Sequence, residues 1–452
     1  MTLAFAAPWR ALGCLAVAAA VHAAAPPPDA LRAGLALFVL IGGLWMTQAL
    51  HLTVTALLVP LLAALAGLMD LRTALASFAH PVIFLFLGSF ALAAALQQQG
   101  LDRALAAAML RAAGGQRPRA VALLFVLTAA LSMWISNTAT VAMMLPLALA
   151  LLAAGDATQP PGAREQAFVL LGVAYSASIG GIGTLVGSPP NAIAAAHSGI
   201  GFTQWLAFGL PLVAVLLPLM AAVLYALLRP RLAGHIALAQ GEPLAWTAPR
   251  RWTLAVFVLT AGGWVAGAPL ARALGITADI DSLVALAAIV ALVAGGAIGW
   301  PEVERRAHWS VLLLFGGGLA LSEAMAASGA SRFLADVVVA QVQGVPAWLV
   351  VVAVVAFVVF LTELVSNTAS AALLVPIFMG VASALGLPPV MLAAAIAVSA
   401  SCAFMLPVAT PPNAIVFATE QVPQATMMRC GLVLNGVCIA VVALVSMLVF
   451  RI

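Results

Sequence analysis

Leu131-Ser132-Met133-Trp134-Ile135-Ser136-Asn137-Thr138-Ala139 stands at the centre of an otherwise apolar run, residues 120–154. One helix over all 35 residues of that run would be about 52 Å long, against a hydrocarbon core of about 30 Å. Split at Ser136-Asn137-Thr138, each arm of about 16 residues reaches about 24 Å, too short to span comfortably. The run therefore predicts a re-entrant hairpin that enters from one membrane face, turns near the midplane and returns to the same face. Region 346–385 has the same form, with its tip at Ser366-Asn367-Thr368-Ala369. A second phrase is also doubled, in the same order: Gly187-Ser188-Pro189-Pro190-Asn191-Ala192-Ile193 returns as Ala409-Thr410-Pro411-Pro412-Asn413-Ala414-Ile415. Polar, helix-breaking residues are costly in a bilayer, so a matched pair in two halves points to one shared site near the midplane.

Of the 452 residues, 65% are hydrophobic and 7% charged, which marks a polytopic helical membrane protein. The alternation of an outer-membrane barrel is absent. All 18 basic residues are arginine. They stand singly or in pairs between apolar segments, so the net charge of +4 does not indicate nucleic-acid binding. Cys14, Cys402, Cys430 and Cys438 lack metal-ligand or disulfide spacing and read as small apolar side chains. Residues 1–25, with Arg10 and the small residues around His22-Ala23-Ala24, fit either a first membrane helix or a signal-like segment.

The fold class expected is an all-α polytopic membrane protein with about 11 transmembrane helices and two re-entrant hairpins. Spans are predicted at about 10–25, 33–48, 52–69, 81–98, 165–186, 203–229, 251–268, 282–300, 309–326, 388–408 and 427–450. Amphipathic segments at 100–113 and 328–343 precede the hairpins and suit the membrane interface. Five full crossings and one hairpin separate equivalent points of the doubled phrases, and an odd number of crossings inverts the second copy. The result is two inverted-topology repeats, 32–229 and 251–452, joined by a polar link at 230–250, an architecture of secondary transporters. With the N-terminus in the cytoplasm and the C-terminus outside, 13 of the 18 arginines face inward. That orientation suits a bacterial-type inner membrane.

An asparagine amide offers an oxygen to a hard cation and two N–H donors to an anion, and Asn137 and Asn367 sit at the two tips. Thr138 and Thr368 add hydroxyls. Ser132 and Thr362 lie one helical turn before Ser136 and Ser366, so these four hydroxyls, with loosened carbonyls, can complete an oxygen cage. Each tip also starts a half-helix whose N–H groups favour an anion. In the second phrase, Pro189-Pro190 and Pro411-Pro412 stop a helix and free carbonyls. Gly187 and Ala409 allow close backbone approach, Ser188 and Thr410 supply hydroxyls, and Asn191 and Asn413 either cap the next half-helix or ligate directly. Any one phrase alone would read as a kink or packing site, since Ser, Thr, Gly and Pro are common in membrane helices. Recurrence of both, in order, carries the functional reading.

No arginine lies between Arg119 and Arg164 or between Arg332 and Arg429, so neither hairpin brings a fixed positive charge to its tip. An anion held there needs bound cations and helix N-termini as counter-charge; a cation or neutral substrate is also compatible with these residues. Glu363 stands three residues before Ser366, where the first half has Met133, and so reads as a structural or coupling group. Glu323 reads as partly hydrated or dimer-facing, and His80 and His308 as interfacial anchors.

At these residues the chain resembles the divalent anion/sodium symporter family, the INDY-like di- and tricarboxylate transporters. The two Ser-Asn-Thr tips, Thr362-Glu363, both Pro-Pro-Asn loops and the glycine-rich Phe315-Gly316-Gly317-Gly318-Leu319 carry the likeness. The resemblance implies a homodimer in which a scaffold (32–113 and 251–342) holds an elevator-type transport domain (117–229 and 346–452). It implies one sodium ion at Ser132, Asn137 and Gly187, and a second at Thr362, Asn367 and Ala409. It places substrate carboxylates on Asn137, Thr138, Asn367 and Thr368, with Ser188, Pro189, Thr410 and Pro411 nearby. The expected activity is sodium-coupled movement of C4-dicarboxylates such as succinate, malate or fumarate. Alternatives within the family are a sodium-independent exchanger and a carrier of sulfate, citrate or tartrate. An intramembrane enzyme would need a nucleophile–base pair or metal ligands at membrane depth, and no HExxH, aspartate pair or buried histidine cluster is present. A channel fits less well, because paired broken helices favour alternating access.

Overall fold

The protein is described by a computed structural model covering residues 8–153, 162–232, 245–275 and 279–450. Every regular element among the described residues is helical. The chain opens with α1 (Pro8–Ala24) and α2 (Asp29–Thr47), which pack together so that Arg10 Nη1 donates to the Thr47 carbonyl. Then come α3 (Leu52–Leu65), α4 (Leu71–Ala76), a 3-10 turn (Ser77–Ala79), α5 (Pro81–Gln98) and the short amphipathic α6 (Leu101–Ala112). The first hairpin is α7 (Arg117–Ser132) and α8 (Asn137–Ala153), followed by α9 (Ala163–Gly180), α10 (Pro189–Ser198) and the long α11 (Phe202–Leu228).

After residue 245 the chain continues as α12 (Ala248–Val265), α13 (Gly267–Leu274), α14 (Ile280–Ala294), α15 (Trp300–Arg306), α16 (Trp309–Ala327) and α17 (Ala330–Gln341). The second hairpin is α18 (Ala347–Thr362) and α19 (Asn367–Ala384), followed by α20 (Pro389–Ala400), α21 (Pro411–Phe417) and α22 (Gln424–Val449). Lengths recur in step: α6 and α17 have 12 residues each, α7 and α18 have 16 each, and α11 and α22 have 27 and 26. Packing partners recur too. α5 lies on α14 as α16 lies on α3, α7 on α9 as α18 on α20, and α10 on α19 as α21 on α8.

Six of these helical stretches are long and apolar enough to cross a membrane: Asp29–Thr47, Leu71–Gln98, Phe202–Leu228, Trp309–Ala327, Asn367–Ala384 and Gln424–Val449. Shorter apolar helices accompany them, among them α1, α3, α14 and α20. Their outward faces carry exposed Leu65, Leu259, Val290 and Leu448, side chains suited to lipid.

Several expected spans end earlier than their predicted bounds, as those at 52–69 and 282–300 do at Leu65 and Ala294. Spans expected at 165–186 and 388–408 are helical only as far as Gly180 and Ala400, because the chain unwinds well before Pro189 and Pro411. The span expected at 251–268 ends at Val265 and is followed by the separate α13. The polar link at 230–250 falls mostly on 233–244, outside the described residues.

Two helix crossings depend on the absence of a side chain. A Cβ on Gly88 of α5 would sit 2.7 Å from Ala285 Cβ of α14, and one on Gly317 of α16 would sit 2.6 Å from Ala56 Cβ of α3. Small residues at such contacts let helices approach closely, which is how packing is won where lipid removes most of the hydrophobic drive. These crossings fix α5 and α16; Phe86 and Phe90 of α5 and Val311 of α16 form part of the cavity described next.

Candidate functional site

Both hairpins turn at the residues expected from arm length. α7 ends at Ser132 and α8 starts at Asn137; α18 ends at Thr362 and α19 starts at Asn367. The two tips and the two Pro-Pro-Asn loops meet at one cavity of about 420 Å³, within the usual range for small-molecule sites of about 300–1,000 Å³. Its wall contains Ser136, Asn137, Thr138, Gly187, Ser188 and Pro189 from the first half. Ser366, Asn367, Thr368, Ala409, Thr410 and Pro411 come from the second. No arginine, lysine, aspartate or glutamate is among the described lining residues.

The site has depth. Asn137, Thr138, Asn367 and Thr368 remain open to the cavity, whereas Ser132 and Thr362 lie behind them and are fully buried. In the first half, the Asn137 amide faces three oxygens: Ser132 Oγ at 2.6 Å and the Ala177 and Gly187 carbonyls at 3.3 Å each. With its nitrogen turned inward the amide donates to them. With its oxygen inward the four oxygens converge, a donor set suited to a hard cation. In the second half, Thr362 Oγ1 lies 2.6 Å from Asn367 Oδ1 and 2.9 Å from the Ala400 carbonyl. One hydroxyl proton can serve only one of those acceptors, so oxygens crowd together here as well.

Glycine makes the first of these clusters possible. A Cβ on Gly181 would stand 2.5 Å from Asn137 Oδ1, and one on Gly187 would stand 2.6 Å from the Gly181 carbonyl. Any side chain there would drive the loop off the tip. Four helices begin at the cavity, but α10 and α21 open with two prolines each and lack those N–H groups. The free N–H donors at the cavity therefore come chiefly from α8 and α19.

Asn191 and Asn413 do something other than cap the next half-helix. The N-cap positions belong to Ser188 and Thr410. The amide nitrogen of Asn191 instead reaches back to the Gly181 and Thr184 carbonyls at 2.9 and 2.8 Å, and that of Asn413 to Ala403 and Leu406 at 3.1 and 3.0 Å. Each amide replaces two lost helical bonds and pins the unwound loop. The expectation failed because an N-cap reading looks forward along the chain, and these side chains fold backward across it.

Glu363 does not face the cavity. Its Oε1 accepts from the Phe404 and Met405 N–H groups and from Asn435 Nδ2, at 2.7, 2.9 and 2.8 Å, while Oε2 accepts from the Leu406 N–H at 3.0 Å. It is a buried clasp on the loop after α20. Glu323 accepts from Ser77 Oγ at 3.1 Å. The sequence reading missed the wall contributed by α2, α3, α5 and α16: Gln48, Leu52, Phe86, Phe90, His308 and Val311. His308, expected to anchor at the interface, lines the cavity instead. Its place follows from how α16 packs, which nothing local in the sequence signals.

Broken apolar helices around an uncharged, small-molecule-sized cavity define a membrane transporter, and comparison with known proteins agrees. The model of the CitMHS family, described as citrate transporter, matches residues 43–397. The chain belongs to this family. It is 48% identical over 420 residues to an uncharacterized transporter of Haemophilus influenzae, covering 91% of this chain and 90% of that one. It is 32% identical over 430 residues to the sodium-dependent dicarboxylate transporter SdcS of Staphylococcus saprophyticus, covering 89% and 82%. The divalent anion/sodium symporter resemblance seen in the motifs is thereby borne out. Among solved structures the fold is similar to the Alcanivorax borkumensis YdaH transporter, with a TM-score of 0.60 at 18% identity over 88% of this chain and 98% of that one. It is also similar to Neisseria gonorrhoeae MtrF, with a TM-score of 0.56 at 15% identity over 83% and 82%.

Proposed function

We propose that this transporter carries C4-dicarboxylates across the inner membrane, coupled to sodium, by elevator-type alternating access. The observation that carries the reading is the uncharged cavity at which both Ser-Asn-Thr tips and both Pro-Pro-Asn loops meet. A dianion there requires counter-charge. The N-termini of α8 and α19 supply part, and sodium ions at the two buried oxygen clusters supply the rest. One cation is held by Ser132, Ser136, Asn137 and Gly187, the other by Thr362, Ser366, Asn367 and Ala409. The carboxylates of the substrate meet Asn137, Thr138, Asn367 and Thr368, with Ser188, Pro189, Thr410 and Pro411 shaping the floor. Because each asparagine serves both cation and anion, losing the ion removes an anion partner. That shared residue is the coupling.

The matched element order and packing support two inverted repeats, 32–229 and 251–452, with the hairpins entering from opposite faces. Residues 117–229 and 346–452 form the moving unit. Residues 32–113 and 251–342 form a scaffold that dimerises, with the N-terminus in the cytoplasm and the C-terminus outside. Similarity to SdcS, a sodium-dependent dicarboxylate transporter, favours this cargo and this ion. The family description favours citrate as the second reading.

Uptake of radiolabelled succinate or malate by cells expressing the chain tests the proposal. Uptake saturates and collapses when sodium is replaced by choline, and Asn137→Ala and Asn367→Ala each abolish it while the protein still folds. Normal uptake in both variants sinks the site assignment. Efflux that needs external substrate but ignores sodium replaces symport with exchange, and uptake of citrate or sulfate alone replaces the cargo.

A further inference from the structure

α15 ends on Arg305 and Arg306, which line a second cavity of about 330 Å³ beside the first. Phe90, Ser136 and His308 border both spaces, so the two adjoin at the first hairpin tip. Both arginines hydrogen-bond to Glu302, and Arg306 Nη1 also donates to Gln97 Oε1 at 2.9 Å. The Arg305 and then the Arg306 hydrogen bonds hold the Glu302 carboxyl below its usual range. Glu302 and Glu304 balance the two arginines in formal charge along α15, and Asp102 lies near enough to interact with Arg306, but among the described residues lining this cavity the two guanidiniums are the charged groups. The arginine side chains are 73% and 35% exposed, and a guanidinium has five N–H donors, so both retain donors for a further acceptor.

We propose that this second cavity is an anion vestibule, in which a dicarboxylate or similar dianion docks on Arg305 and Arg306 before passing Ser136 and His308 to the tips. The proposal rests on the reading of the central cavity as a dianion site. It follows from a contrast. None of the described residues lining the central cavity brings a fixed charge to draw an anion in, and the arginine pair stands in the space next to it. A charged cleft with low-dielectric walls focuses its field and raises the local concentration of a counter-ion and its rate of entry by roughly 10-fold or more. Guanidinium groups also match carboxylates in bidentate fashion, which orients the incoming anion.

The vestibule belongs to one side only. The corresponding short helix of the first half, α4, has no basic residue in its last turn and runs into Ser77. On the inverted-repeat reading the arginines therefore serve a single membrane face, and entry from that face is electrostatically assisted while entry from the other is not.

The test is radiolabelled succinate uptake by intact cells and by everted vesicles, at fixed sodium and varied ionic strength, with citrate and sulfate as further arms. In Arg305→Gln/Arg306→Gln, KM from one face rises about 5- to 10-fold and its dependence on ionic strength flattens, with KM from the other face unchanged. Glu302→Gln, which unmasks the arginines, lowers KM on that same face. Arg305→Lys/Arg306→Lys restores the salt dependence. If the double glutamine variant fails to fold, Glu302→Gln carries the test, and an unchanged or raised KM in it overturns the vestibule. Wild-type kinetics in the double variant from both faces overturn the vestibule and leave the central site standing. A wild-type chain that carries none of these anions from either face overturns both.

Discussion

The loop at 181–188 and the loop at 401–410 have the same task and are held by different chemistry. Both end in Pro-Pro-Asn, and in both the asparagine amide pins two carbonyls of the loop. In the first, Gly180, Gly181, Gly183 and Gly187 let the backbone close on itself, so that the Ile182 and Gly183 N–H groups bond to the Ile179 and Gly180 carbonyls. In the second, the equivalent residues are Cys402, Ala403, Met405 and Ala409, and the loop runs more open. Glu363 takes the N–H groups of Phe404, Met405 and Leu406 instead. Carbonyls differ in the same way: Trp205 donates to Ile182, while Tyr175 from the opposite half donates to Phe404. The two loops thus keep their cavity-facing residues and their asparagine pins alike, while the other supports behind them diverge.

If that contrast is right, Glu363→Ala is the most damaging change in the support. It leaves three backbone donors and the Asn435 amide without their acceptor, a loss on the order of 3–5 kcal/mol. The apparent melting temperature of the purified protein falls steeply, whereas Met133→Ala, at the equivalent position, costs about 1 kcal/mol. Equal melting points for the two variants would break the comparison. Next in size come Asn191→Ala and Asn413→Ala. Each removes two bonds worth about 0.6 kcal/mol apiece in membrane proteins, so both lower stability by similar amounts and both reduce uptake. An effect confined to one half would show that the loops are not equivalent even in the asparagine pin they share. The smallest changes are Tyr175→Phe and Thr184→Val. The first loses the bond to Phe404; the second loses the hydroxyl link to the Met133 carbonyl and the Gly187 N–H. Tyr175→Phe costs about 0.6 kcal/mol in a melting curve and Thr184→Val, with two bonds, up to about 1.2 kcal/mol, and Thr184→Val weakens sodium dependence more because it touches the Gly187 side of the first cluster.

The front of the site was legible in the sequence and its back was not. Arm length and the polar Ser-Asn-Thr breaks together located both hairpin turns, since a hydrocarbon core sets a distance that 35 apolar residues exceed and about 16 fall short of. Recurrence of Asn137 with Asn367, and of Gly187 with Ala409, joined two distant halves at one cavity. The direction of Asn191 and Asn413, the tethers from Trp205 and Tyr175, and the arrival of Gln48 and His308 depend on which helices pack together, and no local pattern encodes that. Gly209 and Gly431 show the same limit. Each sits on a long helix where a Cβ would strike a loop carbonyl, 2.7 Å from Ile182 O and 2.2 Å from Phe404 O, yet in sequence each is one glycine in an apolar run. The pairing of Arg305 and Arg306 with the first tip was equally hidden, since nearly 170 residues separate them from Ser136.

The central claim is that the two asparagine tips hold an anion only together with sodium. Ligand bound to the native state raises apparent stability in proportion to its occupancy, so thermal unfolding of the purified protein reads that claim without needing transport. Succinate or malate raises the melting temperature in sodium, does nothing in choline, and does nothing in either Asn137→Ala or Asn367→Ala. An equal rise in choline, or a rise that survives in either asparagine variant, contradicts the account.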